Sequence, residues 1–397
     1  MSRAISMFTA TADLEVALTT LAHTALGLPR DVRRHPLARS RELLASATGY
    51  NALLTLCERM GVSPALLPSQ DALDRMFDDE LLSMRALKLH RGRNVYSAGK
   101  LALWDNLWRP FLDRLSPNEE TLALLAELVT LRTTEGNGDL TVCAEVLNRR
   151  LTAMGFDVQR FEREGHAPLL VARRPARSMA GRVVIYGHYD AAETEREAWV
   201  TDPWTLTERD GRLYGCALGD NKAPLALRLV ALSRMARSPE IVWILQGEEE
   251  CGSPLAHDLL PDVMRGLDAT LWLEENGYFD LDGTQRMIAR VIGPDGESHP
   301  PDAQLDVIVR AAARDAEVWG VSHRLEVRGL NKDFFARGCP FNRALPQGAR
   351  YMALGVNDPA STIHRPNESV PTWTFALHAR QFETVLREVD HLARSGP

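Results

Sequence analysis

The sequence contains no apolar run approaching the ~18–20 residues of a membrane-spanning helix, so a membrane partner is not expected. Cysteine is scarce. Its five copies (Cys57, Cys143, Cys216, Cys251 and Cys339) are odd in number and scattered without metal-like spacing, which argues against a disulfide framework or a Cys-rich zinc site. Reduced, mostly buried thiols are expected instead. Positive charge is in deficit, with 46 Lys and Arg against 53 Asp and Glu and a formal net charge of −7. That balance disfavours nucleic acid, whose phosphates need a positive surface, and suits a small-molecule partner. The opening stretch MSRAISMFTATADLEVAL carries acidic residues where a secretory signal is cleanly apolar, so a cytoplasmic location is expected. No internal repeat or low-complexity tract is found.

What is present is enough to build a large core: 397 residues, 45% hydrophobic and 25% charged, enough for two to three ordinary domains. Residues 1–115 read as an N-terminal all-α domain. Apolar residues recur near the helical period in Leu14–Leu28, Leu37–Met60, Ser69–His90 and Leu101–Leu115, with Pro110 kinking the last. None of these helices shows chemistry. Ser116-Pro117-Asn118-Glu119 is a capping-box pattern, and it opens a second domain over residues 116–397. There, after helices at Glu119–Leu131 and Leu140–Met154, apolar strands alternate with helices, the mark of an α/β domain whose sheet is covered on both faces. Residues 281–325 lose that order: GPDGESHPPDA reads as a loop and IVRAAARDAEVWG as a single helix. Trp373–Ala393 is an amphipathic C-terminal helix.

The chemistry gathers at strand ends. VVIYGHYD (Val183–Asp190) is a β-branched run closing on a His-Tyr-Asp turn, and GCALGDNK, ILQGEEECGS, LWLEENG and STIHRPNES follow it in order. Open α/β sheets hold their reactive groups just beyond such strand ends. His188, Asp220, Glu250, Glu274 and His364 supply the imidazoles and carboxylates that suit zinc, and also manganese or cobalt. A lone His near a strand end is more often a satisfied histidine than a ligand, and a Glu-Glu-Glu run is usually a solvated face. The ordered set is what shifts the balance toward a two-metal hydrolase plan, in which one carboxylate bridges the ions and a separate Glu acts as base.

That set resembles the M20 family of metallopeptidases and amidohydrolases, which includes carboxypeptidases, aminoacylases, carnosinases and succinyl-diaminopimelate desuccinylase. The resemblance covers about Glu119–Ala393 and implies a zinc-peptidase-like mixed sheet flanked by helices. GHYD looks like the family's His-x-Asp, which implies His188 as ligand and Asp190 as the carboxylate holding its ring. WVTDPWTLTERDGRLYGCALGDNKAP is similar to the stretch that ends in the bridging ligand, here Asp220. In QGEEECGS the match implies Glu249 as general base and Glu250 as ligand, with Glu248 a bystander. Six residues on from Asp268 the match implies Glu274 as a ligand, with Glu275 the alternative; STIHRPNESV implies His364 as the last. By this resemblance one zinc ion has His188, Asp220 and Glu274, and a second has Asp220, Glu250 and His364.

The chain departs from the family in two places. Cys216, Ala217 and Ala223 replace an Arg and two Gly around the bridging Asp. Only 89 residues separate Glu274 from His364, where the family inserts a lid domain, and part of them, Gly329–Pro340, resembles the catalytic-domain segment that follows the lid. The lid is therefore expected to be reduced or absent around 281–325, with no lid-mediated homodimer. An oxyanion donor must then come from elsewhere, with His299, His323, Arg343 and Arg350 as candidates and a solvated loop the ordinary reading of each. Arg343 and Arg350 are also candidates to anchor a substrate carboxylate. The N-terminal helices are expected to cover the site in the lid's stead. The function expected is a dinuclear metal-dependent hydrolase that cleaves an amide bond of a small N-acyl amino acid or peptide. The alternative is an accessory protein on the same scaffold with binding or acyl-transfer chemistry.

Overall fold

The computed structural model of the protein describes residues 119–209, 212–275, 277–280, 283–318, 321–327 and 339–395. The helices expected over 1–115, their place over the site, the capping residues 116–118 and nearly all of Gly329–Pro340 lie outside the described residues. Everything below concerns the compact unit formed by Glu119–Arg314 and Ser322–Pro397.

Helices α1 (Glu119–Thr130) and α2 (Asp139–Ala153) form where apolar residues recur three and four apart. They bury Leu124, Leu125, Leu128 and Val129 in one, and Cys143, Ala144, Leu147 and Leu151 in the other. Strands β1 (Asp157–Phe161), β2 (Leu169–Arg174) and β3 (Ser178–His188) follow, then the short β4 (Thr207–Arg209) and β5 (Arg212–Tyr214). Helix α3 (Ala223–Arg234) leads to β6 (Ser238–Gln246), α4 (Pro254–Met264) and β7 (Leu271–Glu274). After β8 (Tyr278–Phe279), β9 (Gln285–Ile292) and β10 (Ser298–His299) come α5 (Ala303–Val318) and β11 (His323–Glu326). The chain ends with α6 (Pro340–Arg343), β12 (Arg350–Ala353), β13 (Ser369–Pro371) and α7 (Trp373–Ser395).

Ten strands make one mixed sheet in the order β1-β2-β6-β3-β7-β12-β9-β10, with β8 and β11 also paired to β9; β13, β5 and β4 make a separate three-stranded sheet. The centre is parallel: β3 lies between β6 and β7, and β12 runs parallel to β7. Strand alternation splits the core between the two faces. Val183 and Ile185 join the cluster that holds apolar residues of α1, α2, α3, α5 and α7, whereas Val184 and Tyr186 join Leu255 and Leu260 of α4 and Phe341 of α6. On that second face the Tyr186 and Phe341 rings stack with centroids 4.6 Å apart. Helices therefore cover both faces. Because β3, β6 and β7 run the same way, their C-terminal ends, His188, Gln246 and Glu274, reach one edge of the sheet.

The order expected to lapse over 281–325 does not. QRMIARVI is the eight-residue strand β9, and with β8, β10 and β11 it extends the central sheet. Arg286 and Arg290 interrupt the apolar pattern, which hides the strand from a reading by periodicity. In the fold both are provided for: Arg286 Nε donates to Glu326 Oε2 at 2.9 Å, and the buried Arg290 donates to Asn342 and lies 4.2 Å over the Tyr351 ring. Among the described residues no helix is long and apolar enough to cross a membrane.

Candidate metal centre

His188 closes β3 opposite Gln246 of β6 and is 1% exposed. Its Nδ1 lies 3.1 Å from Asp190 Oδ1, and its Nε2 donates to Asp220 Oδ1 at 2.9 Å. Asp190 uses its other oxygen to accept the Glu250 backbone N–H at 2.8 Å, so one buried carboxylate ties the β3 turn to the turn between β6 and α4. Asp220 sits in an irregular turn entered through Ala217, which has a left-handed φ of 56°, and left through the proline-led first turn of α3. From the far end of the sequence His364 places Nε2 2.9 Å from Glu250 Oε1 and 3.5 Å from Asp220 Oδ2. Ligand-type atoms of His188, Asp220 and Glu250 all lie within 4.8 Å of one another. Glu249 precedes Glu250 in the same turn.

The electrostatics are those of negative donors drawn together. Burial works against a charged His188, but hydrogen bonds to Asp190 and Asp220 hold its ring well above the ordinary imidazole range. Burial likewise opposes the charge on Asp220, yet His188 and His364 keep it well below the usual carboxylate range. His364 is raised to about 10 by Asp220 and Glu250. Burial pushes Glu249 up to about 7, with His188 countering and Asp220 and Glu250 adding to the rise. Converging imidazole nitrogens and carboxylate oxygens that attract positive charge are the donor set of a divalent-cation site. Glu250 Oε1 fits that reading. It is buried and, although close to His364, makes no aligned hydrogen bond.

Glu274 lies apart from that group of three. It ends β7 on the face of Tyr186 and Phe341, where its carboxylate accepts from Asn342 Nδ2 at 2.9 Å and from the Tyr351 hydroxyl, with Cys339 Sγ at 3.4 Å. Glu275, one residue on, belongs to the opposite side and lines a cavity of about 670 Å³ together with Asp220. A second cavity, of about 610 Å³, is lined by Asp190, Glu248 and Glu250. The remaining candidates are at other places. His299 is exposed and pairs with Asp295 at 3.1 Å, and Arg350 Nε donates to Asp302 at 2.7 Å at the start of β12, the end of the sheet remote from His188. His323 opens the edge strand β11 opposite Gln285, and Arg343 is an exposed residue whose charge reaches His257.

Two residues that hold the centre are not evident from pattern alone. Glu368 is 3% exposed and accepts backbone N–H groups from Ala217 at 2.9 Å, Gly219 at 2.7 Å and Asp220 at 3.2 Å. Its only sequence signal is its place at the end of HRPNE. Glu248, read as a bystander, is 7% exposed; it accepts the backbone N–H groups of Ala167 at 3.1 Å and Leu255 at 3.2 Å and pairs with His166 at 3.0 Å. It anchors the turn that carries Glu249 and Glu250.

Residues 184–388, just over half of the chain, match the family model described as Peptidase family M20/M25/M40. Among curated proteins the chain is similar to the Beta-Ala-His dipeptidase of Homo sapiens, 35% identical over 99 residues that make up 23% of this chain and 20% of that protein. It is also similar to the succinyl-diaminopimelate desuccinylase of Burkholderia multivorans, 30% identical over 137 residues, or 33% of this chain and 36% of that one. The matched stretch thus spans only about a fifth to a third of those relatives. Among solved structures, the M20 family metallo-carboxypeptidase Sso-CP2 from Sulfolobus solfataricus superposes with a TM-score of 0.55 at 13% identity, over 69% of this chain and 100% of that one. Human carnosine dipeptidase 1 superposes with a TM-score of 0.52 at 13% identity, over 71% and 97%. At such identities the likeness is one of fold.

Proposed function

From the premise that this chain belongs to peptidase family M20/M25/M40, we propose that it is a metal-dependent hydrolase of amide bonds in small peptides or N-acyl amino acids. The observation that carries this reading is the convergence of His188, Asp220 and Glu250 within 4.8 Å, beside Glu249. Relatives named for a dipeptide and for a succinylated amino acid support the substrate class. His188 and Asp220, with Glu274 or the neighbouring Glu275 that shares a cavity with Asp220, would hold one divalent cation, of zinc, manganese or cobalt, and Asp220, Glu250 and His364 a second. Such ions, when bound, supply Lewis acidity to a carbonyl and acidify water.

The protein's own residues do the rest. Asp190 fixes the His188 ring through Nδ1, leaving Nε2 directed at Asp220. Glu249, a carboxylate raised by burial toward neutrality, takes the proton of the attacking water and returns it to the leaving amine. Glu248 and Glu368 hold the two turns that present Glu249, Glu250 and Asp220.

Elemental analysis of the purified chain tests the reading, with about two ions per chain expected and loss in Asp220→Ala. Glu249→Gln should retain metal and lose turnover of a dipeptide; survival of activity would remove Glu249 from its role. Metal content of Glu274→Gln against Glu275→Gln decides which of the neighbours is the ligand. A wild type that takes up no metal after reconstitution would end the hydrolase reading.

A further inference from the structure

Arg228 stands in the second turn of α3, the helix that begins three residues after Asp220, and it is 2% exposed. Burying a guanidinium without a bonded carboxylate is costly, and an apolar side chain in this otherwise apolar turn would avoid that cost. Among the described residues no carboxylate bonds it; Glu275 and Glu274 act on it only through their charge. Instead Nη2 donates to two backbone carbonyls, of Glu274 at 2.8 Å and of Leu354 at 2.9 Å. These carbonyls end neighbouring parallel strands. Glu274 is the last residue of β7, and Leu354 follows Ala353, the last of β12 and the partner of Glu274 in the ladder. The Leu354 N–H donates to the Glu274 carbonyl at 3.3 Å, so that oxygen serves both the strand pairing and Arg228. The guanidinium carbon also lies 6.0 Å over the Phe382 ring of α7.

Just beyond those carbonyls the two chain segments run backbone against backbone. A Cβ added to Gly355 would collide with the Gly277 carbonyl oxygen and come within 2.6 Å of that of Glu275, and one added to Gly277 would come within 2.6 Å of the Gly355 nitrogen. The two exits therefore pass at one fixed spacing, and what they carry makes that spacing matter. The Glu274 carbonyl belongs to the peptide unit that joins Glu274 to Glu275, so holding it holds whichever of the two reaches the proposed centre. From β12 the chain goes on to Asn357, whose Nδ2 donates at 3.0 Å to the carbonyl of Gly219, the residue before Asp220. The ends of β7 and β12 and the helix that leaves Asp220 thus meet at one buried guanidinium. Glu250 and His364, assigned to the other proposed cation, come from the turn before α4 and the segment before β13, and neither bonds Arg228.

We propose that Arg228 is a positioning residue for one of the two proposed cation sites: by clasping the ends of β7 and β12 it sets where the β7 glutamate stands relative to His188 and Asp220. This deepens the metal-dependent reading and rests on it. Methionine at this position would fill much of the space but has no donor, so both carbonyls would lose Arg228 and the strand ends their clasp. Lysine keeps the charge and some of the donors on a differently shaped head.

The test is a calorimetric zinc titration of the full-length chain freed of metal, comparing wild type with Arg228→Met and Arg228→Lys, with Glu250→Gln in the same series to mark the other site. In Arg228→Met the site that Glu250→Gln leaves intact should weaken by about 10- to 100-fold, while the site marked by Glu250 stays within about threefold of wild type. Arg228→Lys should recover part of the loss. Gly355→Ala forces the same two exits apart with Arg228 in place; it should weaken the same site, and it carries the test if Arg228→Met does not fold. Equal weakening of both sites would overturn the positioning role, since a general loss of stability acts on both alike. Two tight sites in Arg228→Met, as in wild type, would overturn it as well and leave the metal-dependent reading standing. A wild type that binds no zinc would sink that reading and this proposal with it.

Discussion

Glu368 Oε1 accepts the backbone N–H of Asp220 at 3.2 Å across 148 residues of sequence, and the same carboxylate takes the N–H groups of Gly219 and Ala217. The turn that presents the proposed bridging ligand is therefore shaped by a side chain rather than by its own sequence. Glu368→Ala leaves the buried N–H groups of Ala217 and Gly219 and the half-buried one of Asp220 without their acceptor, at about 1–3 kcal/mol for each that water cannot reach. Urea unfolding should show that loss. A zinc titration should show affinity weakened about 10- to 100-fold, as for other residues that orient ligands from behind. Unchanged affinity would detach Glu368 from the centre.

Glu248 performs the same service for the turn before α4. Glu248→Ala frees the N–H groups of Ala167 and Leu255 and unpairs His166, so a destabilisation of about 2–4 kcal/mol is expected in equilibrium unfolding. Glu248→Gln keeps an acceptor oxygen and should recover part of it. A Glu248→Ala chain as stable as wild type would restore the residue to the solvated face first expected of it.

His378 of α7 is 2% exposed, and burial, with Arg228 nearby, holds its imidazole well below the ordinary range. The sign follows from linkage. Below about pH 6.5 the unfolded chain protonates this ring and the folded chain does not, so stability falls with falling pH by up to ~1.4 kcal/mol per unit from this group. Its contribution is complete above pH 6.5. Urea unfolding of wild type and His378→Gln between pH 5 and 8 should show a shallower acid-side slope in the variant; parallel curves would mean that His378 titrates normally.

Much of the fold was legible because its signals are local. The β-branched run Val183–Tyr186 and the apolar spacing of α1 and α2 need no distant partner to be read, and these elements form close to where their patterns place them. β9 was not legible, because Arg286 and Arg290 are tolerable in a strand only once Glu326, Asn342 and the Tyr351 ring are beside them. The candidate centre divides the same way. Motif spacing singles out His188, Asp220, Glu250 and His364, but not the fact that Glu274 and Glu275 leave β7 on opposite sides, one tied to Tyr351 and Asn342, the other lining a cavity with Asp220.

By itself the sequence determined which side chains could carry the chemistry and that His188 and Glu274 close strands, since both follow from residue type and short-range periodicity. The tertiary structure alone decided which of them meet. It decided that Glu248 and Glu368 are buried supports, that Arg286 is already paired, and that Arg228 joins the ends of β7 and β12. The physical reason is that a buried charge or acceptor is defined by its partner, and here those partners come from chain segments far apart in sequence.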